Sequence, residues 1–204
     1  MTLGSREVAK AYLGDALVYQ NTPPVPPVPT EGVYILYTDG TTSNYDTLVS
    51  GKTPVGVVLI SGDVSIVIHP DEGLSKNWSS NTSTAIPGVT TTTDENAAKA
   101  DYAGEENSAA VLASGLAGTA FSFADDRGGY LPSCGEMDQI RLNVTNINTA
   151  LALIGGTQLD FASRDYWSST QCRGSNAWYW FYYYNKWLND YKFNNFYCRS
   201  VSAF

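Results

Sequence analysis

The chain is poor in the groups that most often carry chemistry. Its 204 residues include one histidine and three cysteines. His69 ends an apolar run just before Pro70. With no carboxylate or cysteine directly beside it, it reads as structural, not as a base or a metal ligand. Cys134, Cys172 and Cys198 form no even framework and no C-x-x-C pair. Free thiols, or at most one disulfide between Cys172 and Cys198, are the expectation, and a zinc site is not. No stretch of 18 apolar residues occurs, so no membrane-spanning helix is expected. Basic residues are also scarce: 12 Lys and Arg stand against 20 Asp and Glu, a net charge of −8. Nucleic-acid binders draw most of their affinity from a basic footprint, so that partner is excluded. The opening residues, MTLGSREVAKAY, lack a basic and then apolar signal segment. The sequon matches at Asn77, Asn81 and Asn143 are therefore read as chance.

Enzyme signatures are missing as well. One His without a Ser or Cys constellation does not make a triad. No G-x-G-x-x-G follows a strand, and no G-K-[ST] closes a loop. Asp125-Asp126 is a carboxylate pair, but Gly128-Gly129 follows it and a turn accounts for both. The chain is expected not to be an enzyme, and no cofactor or metal is expected.

Aromatic residues are what the chain has in excess, and they are clustered. Between Tyr166 and Tyr197, 14 of 32 positions are Tyr, Trp or Phe, more than half of all the aromatics in the chain. A core does not need so many tyrosines, because each buried hydroxyl must find a partner. A Tyr-rich and Asn-rich surface is what binding loops present, since these rings give contact area at low entropic cost.

Along the chain, residues 1–22 hold two short alternating runs around Leu13-Gly14-Asp15 and read as a hairpin for attachment. A lone hairpin is marginal, so pairing with another chain or a larger assembly is expected. Residues 23–30 carry five of the nine prolines and read as an extended linker. Residues 31–204 form the main domain. Runs at 33–37, 55–60 and 64–69 read as strands, and Ser61-Gly62-Asp63 as a hairpin turn. The Ser, Thr and Asn of 71–93 read as a loop. A helix is expected from Asp94 to Ala113. Ser133 with Glu136 forms a capping box for a second helix, whose apolar stripe runs to Ile154 and stops at Gly155-Gly156. Strands follow to the C-terminus. This order indicates an α+β fold.

Trp187-Leu188-Asn189-Asp190 invites comparison with the Trp-Asn-Asp calcium motif of animal C-type lectins. A leucine interrupts it, and the partner tripeptide is missing. Calcium needs six to eight oxygens, which one Asp beside Lys186 and Lys192 does not supply.

From about Gly32 the chain nonetheless resembles bacterial and phage C-type lectin-fold domains of the formylglycine-generating-enzyme-like branch. The resemblance rests on Gly128-Gly129-Tyr130-Leu131-Pro132-Ser133, Glu136, Ile140, Ile147-Asn148 and Gly155-Gly156. It continues in Tyr166-Trp167-Ser168-Ser169-Thr170, Ala177-Trp178 and the terminal Arg199-x-Val201-x-Ala203-Phe204. Within that branch it is similar to the variable proteins of diversity-generating retroelements. This resemblance implies two helices packed on small antiparallel sheets, with a variable region at about 166–204. It implies a ligand-binding role at a phage tail tip, with the N-terminus joining a virion or a homo-oligomer such as a trimer. The ligand would be a protein or glycan on a cell surface, without membrane insertion. A bacterial surface adhesin of the same fold with a fixed ligand is the alternative. An oxidase like the formylglycine-generating enzymes is a third class, disfavoured because Cys172 and Cys198 are far apart in sequence.

Codon arithmetic bears on this. Randomising the two adenines of an Asn codon reaches every residue whose codon can end in a pyrimidine. It cannot give Lys, Glu, Gln, Met or Trp. Residues 172–198 hold five Asn, six Tyr, three Phe and two Cys, as rewriting would leave them. The expected ligand-binding residues are Cys172, Arg173, Ser175, Tyr179, Phe181, Tyr182, Tyr184, Asn185, Asn189, Asp190, Tyr191, Phe193, Asn194, Asn195 and Phe196. In strands only about half of them can face a ligand. Trp167, Trp178, Trp187, Lys192 and Arg199 are expected scaffold, as are Gln171, Trp180 and Lys186. Trp178 and Trp187 are expected to pack the core. A virion or cell-surface location follows from the resemblance.

Overall fold

The structure, a computed structural model, describes residues 29–80 and 83–204. The expected hairpin of residues 1–22 and linker residues 23–28 lie outside the described residues. Four strands come first: β1 (Gly32–Tyr37), β2 (Thr42–Asn44), β3 (Pro54–Ser61) and β4 (Val64–Asn77). Five helices follow: α1 (Glu95–Lys99), α2 (Gly104–Ala113), α3 (Thr119–Asp125), α4 (Cys134–Leu142) and α5 (Val144–Leu153). Strands β5 (Tyr166–Gln171), β6 (Asn176–Phe181), β7 (Lys186–Tyr191) and β8 (Asn195–Ala203) complete the chain. All eight join one sheet in the order β2-β1-β3-β4-β8-β5-β6-β7. Every pairing is antiparallel except β5 with β8. The fold is α+β, as the element order indicates.

Alternation places the core. In β1, Val33, Ile35 and Tyr37 are buried while the residues between them are half-exposed. They share a first core with Val57, Leu59, Ile66 and Ile68 of β3 and β4 and with Met137, Ile140, Ile147 and Leu151 of α4 and α5. Trp178, Trp180 and Trp187 extend this core toward the C-terminal strands. A second core lies on the sheet's other face, where Trp167, Ala177, Tyr179 and Cys198 meet Trp78, Phe121, Phe123 and Val111. Two covered faces explain why β5 and much of β6 are buried without interruption.

Three expectations about elements change. The single helix from Asp94 to Ala113 is two helices, and Asp101 is the reason. Its buried carboxylate accepts from Ala103 N–H (3.0 Å), Thr90 Oγ1 (3.1 Å), Asn107 Nδ2 (2.9 Å) and Thr170 Oγ1 (2.7 Å). Its carbonyl accepts from Gly135 N–H at 2.9 Å. A Cβ on Gly135 would lie 2.5 Å from that carbonyl oxygen, so only glycine allows the approach. Second, residues 71–77 are strand, not loop. The pairing of β4 with β8 is broken by irregularities, and Ser75 has φ 51°, which leaves no alternation to read. Third, the helical layer has five short helices instead of two, and the strands form one eight-stranded sheet instead of small separate ones. α3 is seven residues long, too short for its stripe to stand out. The Ser133–Glu136 capping box is present: Glu136 N–H donates to Ser133 Oγ (3.4 Å), and Ser133 N–H donates to Glu136 Oε2 (2.7 Å).

Candidate functional site

The aromatic segment forms β6, β7 and the start of β8, and its tryptophans build the scaffold. Trp178 Nε1–H donates to Thr92 O (2.8 Å) and Trp180 Nε1–H to Phe161 O (3.1 Å). Trp187 Nε1–H donates to Asp138 Oδ1 (3.1 Å) and Trp167 Nε1–H to Lys76 O (2.9 Å). Each indole is buried with its one donor satisfied, which is how a core accepts tryptophan. The expected scaffold role of Trp167, Trp178 and Trp187 fits this arrangement.

Lys192 and Arg199 are also fully buried. Lys192 Nζ donates to Gln171 Oε1 and lies 4.5 Å from the centre of the Trp78 ring. Arg199 Nη1 donates to the carbonyls of His69 (3.1 Å), Pro70 (2.9 Å) and Asp71 (3.0 Å). Its Nη2 donates to Thr157 O (2.8 Å) and Glu72 Oε1 (3.3 Å). Arg199 therefore ties the irregular middle of β4 to β8. Glu72 also pairs with Arg164 and accepts from Tyr166 OH at 2.6 Å.

Two expected ligand-binding residues are corrected. Cys172 is 1% exposed and belongs to the first core. The Tyr179 residue is 6% exposed. Its ring stacks on Phe196 at 4.4 Å and meets Trp167 edge-on at 5.8 Å, because β6 is covered on both faces. Among the rest, Arg173, Tyr182, Tyr184, Asn185, Tyr191, Phe193 and Asn195 are exposed. Ser175, Phe181, Asn189, Asp190, Asn194 and Phe196 are half-buried. Lys186, read as scaffold, is exposed, with Nζ 5.3 Å from the Tyr184 ring centre.

The exposed aromatics make two patches. One is the tip between β6 and β7, where Tyr182, Tyr183 and Tyr184 form a single 3-10 turn closed by Asn185 at φ 51°. Asn tolerates that left-handed backbone better than most residues. Tyr183, absent from the expected site, is 71% exposed, more than either neighbour. Its signal lay in the Tyr-Tyr-Tyr run. Three residues make one 3-10 turn, so three successive side chains splay outward where a strand would hide alternate ones. The second patch is Tyr191 and Phe193, stacked at 5.3 Å with 11° between their planes. Asn176 pairs with Tyr191 and Phe181 with Lys186, so the two patches sit at opposite ends of the hairpin. Five strand steps separate them, about 17 Å at ~3.3 Å per residue.

The remaining candidates resolve as follows. All three cysteines are free and buried. Cys172 faces the first core and Cys198 the second, so the sheet separates them and no disulfide joins them. His69 lies between Ser202 Oγ (3.1 Å from Nε2) and Ser200 Oγ (3.3 Å from Nδ1). Burial lowers its pKa. Among the described residues, no cluster of three or more His, Cys, Asp or Glu is placed to hold a metal ion. In the Trp-Leu-Asn-Asp run, Asp190 Oδ1 instead accepts from Tyr191 N–H at 2.7 Å.

No protein-family model matches the chain, and no curated protein matches it. Among solved structures, it is similar to a fimbrial protein from Bacteroides ovatus ATCC 8483. The TM-score is 0.63 at 17% sequence identity, over 84% of this chain and 48% of that one. The likeness is one of fold, and this chain spans about half the length of that protein.

Proposed function

We propose that this chain is a surface-displayed ligand-binding module of the adhesin type. Its contacts with a protein or glycan on a cell surface are made by Tyr182, Tyr183 and Tyr184 at one end of the hairpin and by Tyr191 and Phe193 at the other. One observation carries this reading. These five rings are 38–71% exposed, although they stand at the ends of strands whose tryptophans are all buried and hydrogen-bonded. Folding has no use for them there, and large exposed aromatic groups mark interaction sites. The fold likeness to a fimbrial protein supports surface display. The test is a screen of the purified chain on cells and glycan arrays, followed by Tyr183→Ser/Tyr184→Ser and Tyr191→Ser/Phe193→Ser variants. Binding lost with an unchanged melting temperature supports the reading, and binding unchanged in both overturns it.

A second reading keeps the C-type lectin-like arrangement and the variable, phage-displayed role. Its support is that, of the residues there that a rewritten Asn codon cannot encode, Trp167, Gln171, Trp178, Trp180, Trp187 and Lys192 are buried, while Lys186 is exposed. A near-copy of codons 166–204 beside a reverse transcriptase gene, differing only at adenines, is the result it requires.

A further inference from the structure

Strand β7 ends the sheet, so one side of its backbone is unpaired among the described residues. The register shows which groups point outward. Lys192 N–H donates to Ser175 O at 3.0 Å, in the same register that pairs Asn176 with Tyr191 and Ala177 with Asp190. Bonded and non-bonded pairs alternate along an antiparallel ladder, so Lys186, Leu188 and Asp190 aim N–H and C=O at β6. Trp187, Asn189 and Tyr191 aim theirs away from it. Asp190 Oδ1 caps the Tyr191 N–H at 2.7 Å. The outward N–H groups of Trp187 and Asn189 have no partner among the described residues.

An open edge is a template for another strand, and proteins usually blunt it. The opposite edge, β2, is only three residues long. β7 has six residues, with no proline, no glycine and no break in its pairing with β6. Its one lysine, Lys186, is the usual deterrent, but Asp190 stands four residues on and on the same face. Neither forms a salt bridge with a described residue.

That spacing is self-complementary. When two β7 strands run antiparallel about Leu188, each Lys186 falls opposite Asp190 of the second copy, and Trp187 falls opposite Asn189. The outward groups of Trp187 and Asn189 then exchange hydrogen bonds, and the charges meet at a non-bonded pair, where side chains lie closest. Slipping the pairing by one ladder repeat sets Lys186 opposite Leu188 or Lys192 and loses the match.

We propose that two copies of this chain pair through β7, antiparallel about Leu188, into a dimer with one continuous sheet. The contact is isologous: it uses the β7 edge of both copies and closes at two. It carries the Tyr182–Tyr184 turn of one copy to the end of β7 where Tyr191 and Phe193 stand in the other. Each end of the seam then holds one aromatic surface built from both copies. That composite surface rests on the adhesin reading, and the pairing itself does not.

The experiment is sedimentation velocity of the full chain over a concentration series, with hydrogen exchange of the β7 amides. Monomer should pass to dimer, and the Trp187 and Asn189 amides should become protected as it does. Lys186→Glu and Asp190→Lys each set like charges across the seam twice, and each should weaken the dimer about tenfold or more. Mixed together, the two variants should dimerise again, because every seam contact once more joins opposite charges. Asn189→Pro removes an outward N–H without touching the β6 ladder, and should leave a monomer of unchanged melting temperature. A parent chain monomeric up to about 1 mM, a dimer that both charge variants leave intact, or a mixture that stays monomeric overturns the proposal. A monomeric chain whose surface binding still falls with the Tyr and Phe patch variants defeats the pairing alone. A dimer that follows the charge variants, with surface binding indifferent to the patch variants, defeats the adhesin reading and leaves the pairing.

Discussion

Lys192 Nζ lies 4.5 Å from the centre of the Trp78 indole, fully buried, and its hydrogen bond goes to the neutral side chain of Gln171. Among the described residues, no carboxylate pairs with it. Burial pulls its pKa from 10.5 down to about 8. A cation whose folded pKa is depressed is charged at a cost below that pKa, and the unfolded chain then binds the proton better. Stability should therefore rise as pH goes from about 8 to about 10.5, by on the order of 3 kcal/mol. Urea melts across that window should show the rise in the parent chain and a flatter profile in Lys192→Met. An equal slope in both would mean that the amine is solvated.

Glu136 gives the opposite slope at lower pH. Burial raises its pKa from 4.5 to about 7, against the hydrogen bonds from Ser133 and Tyr130 that favour the charged form. The folded state then holds the proton more tightly than the unfolded one. Stability should fall by on the order of 2–3 kcal/mol as pH rises from about 4.5 to about 7. Glu136→Gln keeps the cap and should remove this dependence. A parent chain of constant stability from pH 4.5 to 7 contradicts the expectation.

Trp187 and Tyr183 stand close in sequence and should behave oppositely. Trp187→Ala opens a cavity in the first core and should cost about 3–5 kcal/mol in denaturant unfolding. Tyr183→Ser changes only exposed surface and should stay within about 0.5 kcal/mol of the parent. A large loss in Tyr183→Ser would show that the tip is part of the fold.

Arg199→Lys keeps the charge but cannot reproduce the fork. Three carbonyls on Nη1 and two acceptors on Nη2 would share one ammonium, leaving buried acceptors unpaired. The expected cost is about 3 kcal/mol or more. A melting temperature within about 2 °C of the parent would show that charge alone suffices.

Thiol chemistry supplies a last check. Burial raises the pKa of Cys134 and pushes that of Cys198 up to about 12. Neither thiol should react with a disulfide reagent at neutral pH until the chain unfolds. Rapid labelling of the native protein would contradict the burial.

Much of the scaffold is legible in the sequence. Alternation at 33–37 and 64–69 marks half-buried strands, and Ser133 with Glu136 marks a helix start, because these are local signals. The burial of Trp178 and Trp187 in the core was also legible, because a tryptophan seldom stays exposed. What could not be read was which tyrosines face water. Tyr179 and Tyr183 have equal composition and similar neighbours, yet one has its ring sealed under Phe196 and the other stands on a 3-10 turn.

By itself, the sequence determined the α+β class, the aromatic excess near the C-terminus, and the scarcity of catalytic and metal-binding groups. These follow from residue type and short-range period alone. Tertiary structure decided the rest. It covered both faces of β6, which withdrew Tyr179 from the surface, and it packed Cys172, just past the end of β5, into the first core. It also parted one aromatic stretch into two patches at opposite ends of the β6–β7 hairpin. Those relations depend on strand register and on what packs across the sheet, and a one-dimensional pattern carries neither.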